Sequence, residues 1–292
     1  MTMSVTHNEV MVGVGLRHPH FTDIITQPKQ VDFVEVHSEN FFGKGGAALS
    51  VLTQVREKYP VSLHSTSMGL GSVQNIPMHY LERLKALTEK INPFLMSEHA
   101  CFTWGQQQGQ LNHSGDLLPI AHNQQTLTKM SEQVDKVQNF LGRQLIIENV
   151  SAYIKFDESY QGEADFLAQL CQRTGAKVLL DINNIAVNSV NFEGGNIQQS
   201  VAGYINELPI ESVAQIHLAG CTEPLAGEMT IDDHACPVSD DVWQGYKQAI
   251  ARFGLVPTLI EWDSDLPKWS VLVDEARKAR DIAQAVLHKE SA

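Results

Sequence analysis

Thiols and positive charge are both scarce in this chain, and each scarcity removes a class of function. The four cysteines, Cys101, Cys171, Cys221 and Cys236, show neither a CxxC pair nor a disulfide-framework spacing, so reduced, structural thiols are expected. Lys and Arg number 21 against 34 Asp and Glu, a formal net charge of −13. Phosphate backbones are held by clustered cations, so no nucleic-acid partner is expected. Long apolar runs are missing too, since none approaches the roughly 18–20 residues that span a bilayer, and no membrane association is expected. Met1–Val14 lacks a basic start followed by an apolar stretch, so no secretory signal is read and a cytoplasmic location is expected. What is present, 43% hydrophobic and 19% charged residues, describes a globular chain with a substantial core.

Strand-like and helix-like segments alternate along the chain. Apolar runs lie near 12–17, 33–38, 61–65, 95–100, 144–150, 177–182, 213–219 and 257–262. Between them Leu49–Tyr59, Met78–Ile91, Gln124–Leu141, Ala164–Arg173 and Val242–Phe253 carry helical spacing, and Trp269–Lys289 closes the chain. Runs without strict alternation suit a parallel sheet covered on both faces. Eight β-then-α units predict a (β/α)8 TIM barrel forming one domain over 1–292. A doubly wound open sheet is the competitor. The longest irregular stretch, Thr103–Asn123, is expected to lie over the barrel mouth as a lid or substrate loop.

The ends of the runs favour the barrel. Six finish on a group that binds metal: His64, His99, Glu148, Asp181, His217 and Glu261. An apolar strand has no local reason to end so, because an unpaired buried charge is costly. In a barrel all strand C-termini face one mouth. Asn184 follows Asp181 at i+3, where a turn would aim both side chains at one point. Asp232 and His234, two apart, share a side of an extended segment. Nine donors exceed what one transition metal takes, so two or three ions bridged by carboxylates are expected. Imidazole, carboxylate and one amide, without thiolate, suit iron, manganese or zinc. Asn149, Asn183, Trp262 and Asp263 flank the donors and are expected to orient them. Arg17 is suited to a substrate carboxylate or a reactive anion; with Asn149 and Asp263 it makes up the expected catalytic set. His18, His20 and His37 read equally well as surface or hydrogen-bonded histidines. Met68-Gly69-Leu70-Gly71-Ser72 reads as a tight βα turn.

Taken in order, Gly13-x-Gly15-Leu16-Arg17, Val36-His37-Ser38-Glu39-Asn40, Ile147-Glu148-Asn149-Val150, Leu180-Asp181-Ile182-Asn183-Asn184, Ile216-His217-Leu218-Ala219-Gly220, Asp232-Asp233-His234 with Pro237-Val238, and Ile260-Glu261-Trp262-Asp263 resemble the multinuclear non-heme iron-dependent oxidases. The resemblance spans essentially the whole chain. It implies a barrel of the xylose isomerase and endonuclease IV type holding two or three iron ions at the nine donors. It further implies the use of dioxygen to oxidise cysteine residues of a ribosomally made precursor peptide, often with a separate peptide-binding partner protein. Asp233 departs from the pattern, which leads one to expect Thr or another neutral residue before His234. Cys236 occupies a variable position. The residues alone leave two other readings open: a zinc or manganese hydrolase of small phosphoesters, and a metal-stabilised module that only docks a peptide.

Overall fold

The computed structural model describes residues 10–290. Its strands are β1 (Val12–Gly15), β2 (Phe33–His37), β3 (Val61–His64), β4 (Leu95–His99), β5 (Phe102–Gln107), β6 (Gln110–Leu118), β7 (Ile146–Glu148), β8 (Lys177–Asp181), β9 (Val213–Leu218) and β10 (Thr258–Ile260). Eight of them close a barrel in the order β1-β2-β3-β4-β7-β8-β9-β10, with β10 pairing back onto β1. Every pair in the barrel is parallel. The strands are short and almost wholly buried, which explains why they read as continuous apolar runs rather than alternating ones.

The surrounding helices are α1 (Phe21–Thr26), α2 (Ala47–Lys58), α3 (Met78–Ile91), α4 (Gln124–Leu141), α5 (Glu163–Thr174), α6 (Ile182–Phe192), α7 (Ile197–Glu207), α8 (Asp240–Phe253) and α9 (Trp269–Glu290). Their ends follow ordinary capping chemistry. The Asn123 side chain accepts from Thr126 N at 3.0 Å to start α4, and Gly142, left-handed at φ 65°, ends it. α8 packs Val242, Trp243, Tyr246, Ala249 and Ile250 inward at helical spacing.

Strand register brings the donors to one level. His37 pairs with His64 across β2 and β3, His99 with Glu148 across β4 and β7, and Asp181 with His217 across β8 and β9.

The structure departs from the sequence reading in two places. The segment expected to be an irregular lid is largely an antiparallel hairpin, β5–β6. Its two-residue turn, Gln108-Gly109, has positive φ at both positions, 51° and 79°, the conformation that suits hairpin twist. Most of its side chains are exposed, so it carries no apolar alternation to read. Its base rests on the Gly-rich turn: a Cβ on Gly69, itself at φ +61°, would lie 2.2 Å from Thr103 Oγ1. The second departure is that Asp181-Ile182-Asn183-Asn184 is the start of α6 rather than a turn, with Asp181 as its N-cap.

Candidate metal centre

Two histidines define one end of the site. Each has one ring nitrogen tied back, His64 Nδ1 to Ser97 Oγ at 2.8 Å and His99 Nδ1 to Glu98 Oε1 at 3.1 Å. Their free Nε2 atoms converge on Glu148 Oε2, at 3.4 and 3.3 Å. The other oxygen of Glu148 lies 3.8 Å from His217 Nδ1, which is 2.9 Å from Glu261 Oε2. Two compact donor groups result: His64, His99 and Glu148, then Glu148, Asp181, His217 and Glu261. Glu148 belongs to both, as a bridging carboxylate would.

Asn184, Asp232 and His234 stand beside the second group. Asp181 Oδ1 accepts from Asn184 N at 2.7 Å, and His234 Nε2 lies 2.8 Å from Asp232 Oδ1. Asp232 is positioned by Asn183 Nδ2 at 2.7 Å and Ser151 Oγ at 3.1 Å. His234 sits at φ 46°, a strained conformation for a non-glycine residue. It is held there by Asp263 N and Ser264 N, which donate to its carbonyl at 2.9 and 3.3 Å.

Three buried oxygens in this constellation, Glu148 Oε2, Asp181 Oδ2 and Asn184 Oδ1, have no hydrogen-bond partner among the described residues. Each such acceptor costs about 1–3 kcal/mol, a penalty that bound cations would remove. Donor types, sharing and orphaned oxygens together fit more than one metal ion.

A third group, His37, Glu261 and Asp263, is not evident from the strand endings alone, which leave His37 open. Arg17 already fills it. Its Nε donates to Asp263 Oδ1 at 2.7 Å, and one terminal nitrogen also bonds Asp263 and lies 3.0 Å from His37 Nε2 and 3.6 Å from Glu261 Oε1. The guanidinium occupies the place of a cation there. Its other terminal nitrogen is buried without a partner among the described residues.

Asn149 uses both polar side-chain atoms on the backbone of Asp181, accepting from its N at 2.8 Å and donating to its O at 2.9 Å. It therefore positions Asp181 rather than facing a substrate. His18 is exposed, and His20 reaches Pro267 O at 2.9 Å, away from the donors. Asp233 ties its own loop, accepting from Thr222 N at 3.0 Å and Ala235 N at 3.2 Å. Two buried acids with no assigned task in the sequence reading, Glu98 and Glu35, back the histidines. Glu98 accepts from His99 N and Met68 N, both at 2.8 Å.

Burial and carboxylate crowding set the protonation of the metal-free centre. Burial, with Glu261 and Asp181 adding to it, raises the Glu148 carboxyl to about 8. Burial, then Asp232, raises Asp181 to about 7. Burial alone would lower His99, but Glu148 and Glu98 outweigh it and lift the ring to about 9. All three groups hold protons more tightly in the fold than in the unfolded chain. Their contribution is therefore full below the ordinary carboxyl range and is lost progressively as pH rises from the unfolded to the folded values, from 4.5 to about 8 for Glu148, 3.8 to about 7 for Asp181 and 6.5 to about 9 for His99. Metal-free protein should lose melting temperature across that window. Metal uptake should release protons and tighten as pH rises. Thermal melts and proton release measured with and without metal at pH 6 and 9 check both signs.

The donors face a cavity of ≈ 620 Å³, bordered by Gly115, Asp116 and Leu117 of the hairpin and by Tyr153 and Asp233. A larger cavity, ≈ 710 Å³, lies beyond Val150, between segment 150–164 and α7; it contains none of the three donor groups. Among the described residues no helix is long and apolar enough to cross a membrane.

Comparison with known proteins bears on the fold and the family. The chain is 42% identical over 281 residues to a UPF0276 protein of Rhizorhabdus wittichii, covering 96% of this chain and 97% of that one. It is 39% identical over 280 residues to a UPF0276 protein of Chromobacterium violaceum, with 96% and 97% covered. Among solved structures it resembles an L-ribulose 3-epimerase, at TM-score 0.62 and 13% identity, covering 97% and 98% of the two chains. It also resembles endonuclease IV from Thermus thermophilus, at TM-score 0.57 and 14% identity, covering 96% and 99%. At those identities the likeness establishes the fold alone, a TIM barrel of the xylose isomerase and endonuclease IV type. Residues 11–284 match the model of the RiPP precursor modification enzymes MbnB/TglH/ChrH, and the chain belongs to that family of peptide-modifying enzymes.

Proposed function

We propose that this chain is a multinuclear non-heme iron enzyme that uses dioxygen to oxidise cysteine residues of a ribosomally made precursor peptide. The observation that carries the reading is the sharing of Glu148 between two compact donor groups, next to buried oxygens left without partners. His64 and His99 with Glu148 would hold one ion, and Glu148, Asp181, His217 and Glu261 a second. Asn184, Asp232 and His234 would complete a third. Bound there, iron supplies thiolate affinity and one-electron chemistry with dioxygen.

The chain's own residues do the rest. Arg17 neutralises Asp263 and stands beside Glu261, so Asp263 is held apart from the cations while Glu261 would serve the second ion. Its unpartnered nitrogen is available to a substrate carboxylate or a small anion. The cavity, ≈ 620 Å³, has room for a cysteine side chain, and Gly115, Asp116 and Leu117 of the hairpin and Tyr153 line its border. The precursor peptide would be made and modified in the cytoplasm, delivered by a separate peptide-binding partner protein.

The test is to load the full chain anaerobically with ferrous iron, add its cysteine-containing precursor peptide, and then admit oxygen. Oxygen uptake coupled to a mass change at a cysteine is expected. No uptake and no mass change would sink the proposal, as would zinc or manganese at full occupancy with phosphodiesterase activity. Peptide binding without any conversion would leave only the docking module.

A further inference from the structure

Beneath the donor layer the barrel holds a second polar layer that metal binding does not itself require. Glu35 projects inward from β2, with Ser62 of β3 and Gln215 of β9 around it, and these residues are 2%, 0% and 0% exposed. A carboxylate in the run Phe33-Val34-Glu35-Val36 survives burial only if fully partnered, and it is. Its Oε2 accepts from Ser62 Oγ at 2.7 Å and from Gln215 Nε2 at 2.6 Å. Its Oε1 lies 3.1 Å from His217 Nε2.

We propose that Glu35 is the positioning residue for the central ion: it keeps the ring proton of His217 on Nε2 and thereby presents Nδ1 to the metal. The inference rests on the multinuclear reading of the site and concerns which atom of His217 serves it. His64 and His99 tie back Nδ1 and present Nε2. His217 is reversed, with Nε2 facing down to Glu35 and Nδ1 facing Glu261 at 2.9 Å and Glu148 at 3.8 Å.

A neutral imidazole carries one N–H, and a metal needs the lone pair on the other nitrogen. Gln215 Nε2 lies 3.1 Å from His217 Nε2. An amide donating there would favour the opposite tautomer, leaving the proton on Nδ1 where the ion must bind. Glu35 opposes this in two ways. It draws the Gln215 amide onto its own oxygen at 2.6 Å, and as an anion it is a stronger acceptor for the His217 N–H than a neutral group. The same contact makes Nδ1 a more basic donor toward the metal. The ions at the two ends of the shared Glu148 therefore meet different histidine chemistry.

The test uses zinc, a diamagnetic probe, with the full chain labelled with ¹⁵N-histidine. The expected spectrum shows His217 protonated on Nε2 with a zinc-shifted Nδ1. Glu35→Gln should weaken one zinc ion roughly 10–100-fold and redistribute the His217 proton, and because it removes a fully partnered buried carboxylate it should also lower the metal-free melting temperature. Zinc on Nε2 of His217 in the parent protein would overturn the proposal, as would unchanged affinity in a folded Glu35→Gln. If that variant does not fold, the parent spectrum alone decides. No oxidation is measured here, so an inactive enzyme with the expected spectrum would count against the oxidase reading and not against this one.

Discussion

Glu148→Gln is expected to empty two ion positions at once and to abolish turnover. Its carboxylate lies within 3.4 Å of His64 Nε2 and 3.3 Å of His99 Nε2, and its other oxygen faces His217. Groups that merely orient a ligand are worth roughly 10–100-fold in metal affinity. A carboxylate bridging two cations exceeds that, so more than ~100-fold weakening is expected, with at most one ion retained per chain. The metal-free fold should tolerate the change. Burial and acidic neighbours raise the Glu148 carboxyl to about 8, so the fold disfavours its anion, and glutamine resembles the neutral acid. Metal analysis beside melting curves of the metal-free and loaded variant separates the two effects. Two or more ions still bound per chain would refute the bridging assignment.

Gly220→Ala is expected to damage the other side of the site. A Cβ at Gly220 would lie 2.0 Å from Pro237 O and 2.7 Å from Cys236 O, both backbone atoms with no freedom to swing aside. Overpacking of this kind costs about 1–3 kcal/mol or more, roughly 6–12 °C in melting temperature at its upper end. The displaced segment lies just after Asp232 and strained His234, so under the proposed three-ion reading the ion assigned to Asn184, Asp232 and His234 should be lost while the two assigned around Glu148 persist. Gly203→Ala is the control. It lies inside α7 with nothing within 4 Å of the added Cβ, and alanine there should be neutral or stabilising by about 0.5–1 kcal/mol. Equal metal content in Gly220→Ala and the parent would show that the loop re-packs without moving its donors.

The barrel is legible in the sequence because its strands are buried on both faces, which leaves their polar endings conspicuous. Val178-Leu179-Leu180-Asp181 and Thr258-Leu259-Ile260-Glu261 announce themselves by breaking an apolar run. The hairpin is not, since Trp104–Gln107 and Gln110–Asp116 face mostly solvent and carry no alternation. α6 is hidden for the opposite reason. Ile182–Val187 is buried nearly throughout, so it shows no polar face and its Asn-rich start looks like a turn. Glu35 and Glu98 are inconspicuous because they lie inside strand runs instead of at their ends. A charge flanked by apolar residues, as in Val34-Glu35-Val36, is the signal that points to Glu35. Arg17 illustrates a limit of reading donors from sequence: His37 is left open there and Asp263 is expected only to flank the donors, and it is the fold that reveals both around one guanidinium.

The pairing of His37 with His64, His99 with Glu148 and Asp181 with His217 has a consequence for how such enzymes diverge. Neighbouring strands stand ≈ 4.7–4.9 Å apart wherever backbone hydrogen bonds join them, so the ladder works as a fixed gauge for the distance between adjacent donors. The hairpin and the segments after β7 and β9, which border the cavity, stand outside that gauge. Sequence change there can recut the entrance for a different peptide while the spacing between the donor side chains stays as the barrel sets it.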